Sequence, residues 1–73
     1  MTPLGSLIHD TNNALGNIQS TISWMKNQLK NGEGIKEEEL ASCIEDILAQ
    51  KRRIMSAQDT YYLWATENGQ KLF

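Results

Sequence analysis

An apolar residue returns alternately every four and three positions along the first part of the chain, at Leu4, Ile8, Leu15, Ile18, Ile22, Met25 and Leu29, with Thr11 the one break in the rhythm. This spacing comes back to one side of an α-helix at every turn and makes the seam of a left-handed helical bundle, whereas a strand would scatter it over both faces. The rhythm resumes at Leu40, Ile44, Ile47, Ile54 and Tyr61, with Lys51 and Gln58 interrupting it, and Leu48, Met55 and Tyr62 widen that face on one side. No alternating strand pattern and no internal repeat compete with it.

The ends of the two helices are marked by residues with a physical reason to be there. Thr2 precedes Pro3, the only proline; a threonine hydroxyl accepts one of the amides a helix start leaves orphaned, and proline has no amide hydrogen to leave unpaired. Asn31 and Gly32 open the sequence NGEG, and either residue type adopts the left-handed conformation that ends a helix. Glu37, Glu38 and Glu39 then oppose the positive end of a second helix dipole, and Gly69 follows Asn68 as its stop. The chain therefore reads as one all-α domain over residues 1–73, with helices spanning about 3–31 and about 36–68 and a loop at about 31–35. So short a connection makes the helices antiparallel neighbours.

A hairpin of this size needs support. With 73 residues, its own core would contribute only about 3–5 kcal/mol without a disulfide, a metal or a partner subunit. Cys43 is the sole cysteine and His9 the sole histidine, which rules out an internal disulfide and leaves a poor metal set. Two helices cannot enclose so broad an apolar stripe, but two hairpins packed face to face can, so a homodimeric four-helix bundle is expected. The lone thiol suits a reducing compartment. No apolar run reaches membrane-spanning length and no basic start leads into a signal segment, so a cytoplasmic chain without membrane contact is expected. With a net charge of −2 and no basic stripe interleaved with aromatics, nucleic acid is not an expected partner. Trp24 and Cys43 read as packing near the loop end, Lys51, Arg52 and Arg53 as a solvated face, and Tyr61, Tyr62 and Trp64 as upper core close to His9.

One stretch does not answer to helix stability. LIHDTNNAL, residues 7–15, sets His9 beside Asp10 and then Asn12 and Asn13, although Asn and Thr suit a helix less well than Ala, Glu or Lys. His9 follows Ile8 and falls outside the seam, on the flank; Asn12 and Asn13 come three and four residues later, one turn below it, with Gly16 a turn further. Up to Lys26 the only formal side-chain charges outside His9 belong to Asp10 and Lys26 itself, and the outward positions include Asn12, Gly16, Asn17 and Ser20. A neutral, short-chained flank of this kind suits close approach by another protein. Neutral imidazole is nucleophilic near pH 7, and a neighbouring carboxylate can hold the proton of its other nitrogen. A hydrolase triad lacks both a paired Ser or Cys nucleophile and shelter from water.

HDTNNAL resembles the H-box of sensor histidine kinases, whose dimerisation and histidine-phosphotransfer domain is a dimer of helical hairpins. His9, Asp10, Asn13, Ala14 and Leu15 match that pattern position by position, while Thr11 stands where members carry an apolar or aromatic residue and Ala14 where many carry proline. The resemblance implies that His9 accepts the γ-phosphoryl of ATP and passes it to an aspartate on the receiver domain of a response regulator. It implies Asp10 as general base or hydrogen-bond partner, Asn13 as the residue positioning water in regulator dephosphorylation, and a chain that is cytoplasmic or the cytoplasmic part of a membrane-bound sensor; on the neutral flank, Asn12, Gly16, Asn17 and Ser20 are the expected partner-docking positions. The chain has no glycine-rich nucleotide lid and no Mg²⁺-binding asparagine box, so ATP and Mg²⁺ would sit on a separate ATP-binding kinase domain, with no cofactor or metal here. The chain would then be a fragment of a longer kinase, inactive alone, or a stand-alone phosphotransfer protein. The latter is usually a monomeric four-helix bundle, with about twice this helix length in one chain. A helical dimerisation or adaptor module without chemistry is the remaining alternative.

Overall fold

The computed structural model describes residues 2–69, which form two helices, α1 over Pro3–Lys30 and α2 over Glu37–Glu67. Thr2 caps α1 from an extended conformation, its Oγ1 accepting the Gly5 amide at 2.9 Å, and Pro3 takes the first helical position. At the far end Asn31 stays right-handed and Gly32 reverses the chain at φ 74°. The Gly32 amide donates to the Leu29 carbonyl at 3.2 Å and the Glu33 amide to that of Gln28 at 3.1 Å, the paired bonds of a Schellman stop. Gly34 also has positive φ, so the loop rests on two glycines.

α2 begins after Lys36, whose backbone amide donates to Glu39 Oε1 at 3.3 Å. Only this return half of a capping box forms, since a lysine side chain has nothing with which to accept. Glu37, Glu38 and Glu39 occupy the first turn, where negative charge complements the helix dipole. Asn68 and Gly69, the latter at φ 67°, end α2 with the same tight bond, Gly69 N–H to Thr66 O at 3.3 Å.

The helices pack side by side into a rod of 54 × 20 × 17 Å. Asn17 meets Gln50, Ser20 and Trp24 lie beside Cys43 and Asp46, and Pro3 and Asp10 share a groove with Arg53 and Trp64, so α2 runs antiparallel to α1. The line facing α2 follows the four-three rhythm at Leu7, Thr11, Ala14, Ile18, Thr21, Met25 and Gln28, all buried or half-buried. Opposite it run Cys43, Ile47, Gln50, Ile54, Ala57 and Tyr61. Of the apolar residues expected in the seam, Ile18 and Met25 belong to this line together with Thr11. Ile8, Leu15, Ile22 and Leu29 stand one step round the helix and are exposed, as is Leu4, which continues the inner line at the start of α1. Ile44, Leu48 and Met55 do the same on α2, and Leu40, which continues the inner line, is exposed in the first turn. The reason is the width of the stripe: a helix covers only part of a face that spans two turns' worth of apolar positions.

Among the described residues only Ala14, Cys43 and Ala65 are buried hydrophobics, and no large side chain is fully enclosed. The hairpin thus encloses only small residues fully, half-covers the large ones of its inner lines and leaves the rest outside.

Candidate functional site

His9 sits in the second full turn of α1 and is exposed. Asn13, one turn later, brings its side-chain Nδ2 to 3.2 Å from His9 Nε2. An amide NH₂ can donate but not accept, so Nε2 faces it with a lone pair and the ring proton of the neutral form belongs on Nδ1. The pairing follows directly from the four-residue spacing, which stacks two side chains on one helical face. In this orientation of the amide, the pairing favours the tautomer protonated on Nδ1.

Asp10 is turned about 100° from His9 by the helix itself. It makes no hydrogen bond to the imidazole and instead lines an open groove of about 540 Å³ between the helices. Ser6 and Leu7 line the same groove from α1, and Arg53, Thr60, Tyr61 and Trp64 from α2. Tyr61 lies 6.0 Å from Trp64 and 6.1 Å from Tyr62, centroid to centroid, so the aromatic cluster stands at the His9 end of the rod.

The remaining flank positions divide. Asn12 is exposed and makes no hydrogen bond within the described residues. Gly16 has open space where a Cβ would stand and borders a shallow depression with Ser20, Ser23 and Trp24. Asn17 is not free in the same sense: its Nδ2 donates to Gln50 Oε1 at 3.3 Å, across to α2. Arg53 Nη1 donates to that same oxygen at 2.8 Å. Arg53 is thereby separated from Lys51 and Arg52, with which it forms a run in sequence, and held at the groove. Trp24 remains exposed while Cys43 beneath it is buried.

Sequence reasoning singled out His9 and Asn13, which the helix brings together, and Asp10, which it turns aside. It did not single out Gln50, although a glutamine in line with Ile47 and Ile54 in the four-three rhythm is a signal for a polar group inside a seam. Among the described residues no helix is long and apolar enough to cross a membrane, and no group of His, Cys, Asp or Glu side chains is arranged to hold a metal ion.

Comparison with protein-family models, with curated proteins and with solved structures finds no match to this chain.

Proposed function

We propose that the chain is a phospho-accepting dimerisation domain of the sensor histidine kinase kind, with His9 as the acceptor. The observation that carries the proposal is an exposed imidazole on the flank of a helical hairpin, its Nε2 lone pair defined by an amide one turn below. Nothing overhangs the ring from α2, so bulky donor and acceptor domains have access to it.

The chemistry asks little of the chain. The Nε2 lone pair attacks the γ-phosphorus of a nucleoside triphosphate held by a separate kinase domain, an N–P bond forms, and the bond from that phosphorus to the bridging oxygen breaks with its electrons leaving on the diphosphate. The ring then loses its Nδ1 proton to solvent or a base. A receiver aspartate oxygen afterwards attacks the same phosphorus and the N–P electrons return to Nε2. Alignment and charge stabilisation dominate such transfers, and both reside largely in the partner domains. Asp10, lining the groove with Arg53, is placed to meet an incoming partner and not the imidazole of its own helix. Asn13 in the dephosphorylation role would turn its amide from the ring to a water.

Dimerisation completes the proposal. The exposed Leu4, Ile8, Leu15 and Ile22 of α1 and Ile44, Leu48 and Met55 of α2 give a face suited to a second hairpin, producing a four-helix bundle. Sedimentation should find a dimer at micromolar concentration.

The phosphoryl step is tested by incubating the chain with an isolated sensor-kinase ATP-binding domain and Mg-ATP, and in parallel with phosphoramidate, which phosphorylates accessible imidazoles without an enzyme. An acid-labile phosphate lost in His9→Gln and transferable to a receiver domain is expected. Phosphoramidate-labelled His9 that no receiver domain discharges faster than water does would refute the role and leave a dimerisation module.

A further inference from the structure

We infer that Asn13 is a brake on the His9 nucleophile: its side-chain amide caps the Nε2 lone pair, and this hydrogen bond has to open before the ring attacks any electrophile. For the phosphoryl reaction the inference rests on the function proposed above; for the reactivity of the ring itself it does not.

The geometry is local. Nδ2 of Asn13 lies 3.2 Å from Nε2, and only the unprotonated imidazole nitrogen has an in-plane lone pair. A donor pointing along that direction occupies the approach line of an incoming phosphorus or carbonyl carbon. The bond exists in the resting state and is surrendered at the transition state, so it lowers the ground state alone and slows the attack. Position in the helix makes the cap persistent: the four-residue spacing presents Asn13 to His9 without any loop having to order. Asp10 cannot oppose it from the other nitrogen while its carboxylate faces the groove. The rate at which His9 reacts is thus set in part by a neutral side chain that a partner docking on the same flank could draw away by offering Nδ2 a better acceptor.

His9 being the only histidine, its acylation by diethyl pyrocarbonate can be followed optically on the intact chain. In that reaction the Nε2 lone pair forms a bond to a carbonyl carbon, ethyl carbonate leaves with the broken C–O pair and decomposes to ethanol and carbon dioxide, and the Nδ1 proton passes to solvent. Asn13→Ala should react about 1.4- to 2.3-fold faster, the factor that an exposed side-chain pair four residues apart on a helix represents. Alanine favours helix, so the fold is retained, and circular dichroism checks this. Nitrogen-15 NMR supplies the readout that a merely structural role would not move. The wild type should show Nε2 unprotonated in the neutral form, and Asn13→Asp, whose carboxylate only accepts, should move the proton onto Nε2. A wild-type ring with its proton on Nε2, or an Asn13→Ala rate equal to or below that of wild type, overturns the inference. Neither arm involves phosphate, so a chain that fails to accept phosphoryl groups would refute the proposed function and leave this result readable.

Discussion

Replacing Leu15 by alanine should weaken self-association far more than it disturbs the hairpin. Leu15 is 50 % exposed and lies on the uncovered face, next in sequence to Ala14, which is 0 % exposed against α2. Fully burying a leucine is worth about 1.5–3 kcal/mol, so the half still exposed holds about 0.7–1.5 kcal/mol per protomer to be gained on association. A symmetric interface uses the residue twice, which gives about 1.5–3 kcal/mol per dimer and a dissociation constant about 10- to 150-fold larger in the variant. Alanine is at least as good a helix former as leucine, so the loss cannot come from helix propensity. Sedimentation equilibrium over a concentration series measures the constant, and the dependence of thermal melting on protein concentration checks it independently. Equal constants for variant and wild type would refute the assignment of this face. So would a wild-type chain that sediments as a folded monomer at micromolar concentration.

Gly32→Ala should destabilise the chain by about 1–2 kcal/mol, since an L-residue must hold the left-handed φ of 74° that ends α1. A Cβ there meets no atom, so denaturant titration would report backbone strain alone, and an unchanged midpoint would contradict the Schellman stop. Ala14→Leu inserts bulk where α1 touches α2 and should cost about 1–3 kcal/mol, read as a lower melting temperature; a more stable variant would mean that the helices are not in close contact there.

The helix ends were legible because each is a chemical requirement written in one or two residues: the Thr2–Pro3 start, the glycine after Asn31, the three glutamates after Lys36. The apolar rhythm likewise announced two helices packed against each other. What hydropathy could not convey was which half of the stripe turns toward the chain's own second helix. That inner line includes Thr11, Ala14, Thr21 and Gln28 on one side and Cys43, Gln50 and Ala57 on the other. Small and polar side chains let two helices approach and carry little hydropathy signal, so Ile8, Leu15, Ile22 and Leu29 drew half of the α1 seam one position away from where the hairpin closes. The His9–Asn13 pair was readable from its spacing. The separation of Asp10 from His9 was readable too, from the angular step between consecutive helical residues, but adjacency in the H-box pattern favoured treating them as partners. Arg53 was hidden by Lys51 and Arg52, since a charge run does not tell which member meets a glutamine across the seam.

The hairpin separates its surfaces by rotation about one helix. Starting from the line against α2, a step in one sense reaches Ile8, Leu15 and Ile22; a step in the other reaches Ser6, Asp10 and the groove shared with Arg53 and Trp64. His9 and Asn13 lie on the outer side of α1, away from the line against α2 and nearer the groove's edge than the apolar stripe. Covering the apolar face with a second hairpin therefore leaves the imidazole as open as it is in the single chain, and a partner approaching the groove meets Asp10 first and the His9–Asn13 pair at its margin. Association and histidine chemistry are in this way physically independent: Leu15→Ala should alter the first without touching the acylation rate of His9, and Asn13→Ala should do the reverse. If either substitution moved both properties, the ring could not be standing on the side of the helix described here.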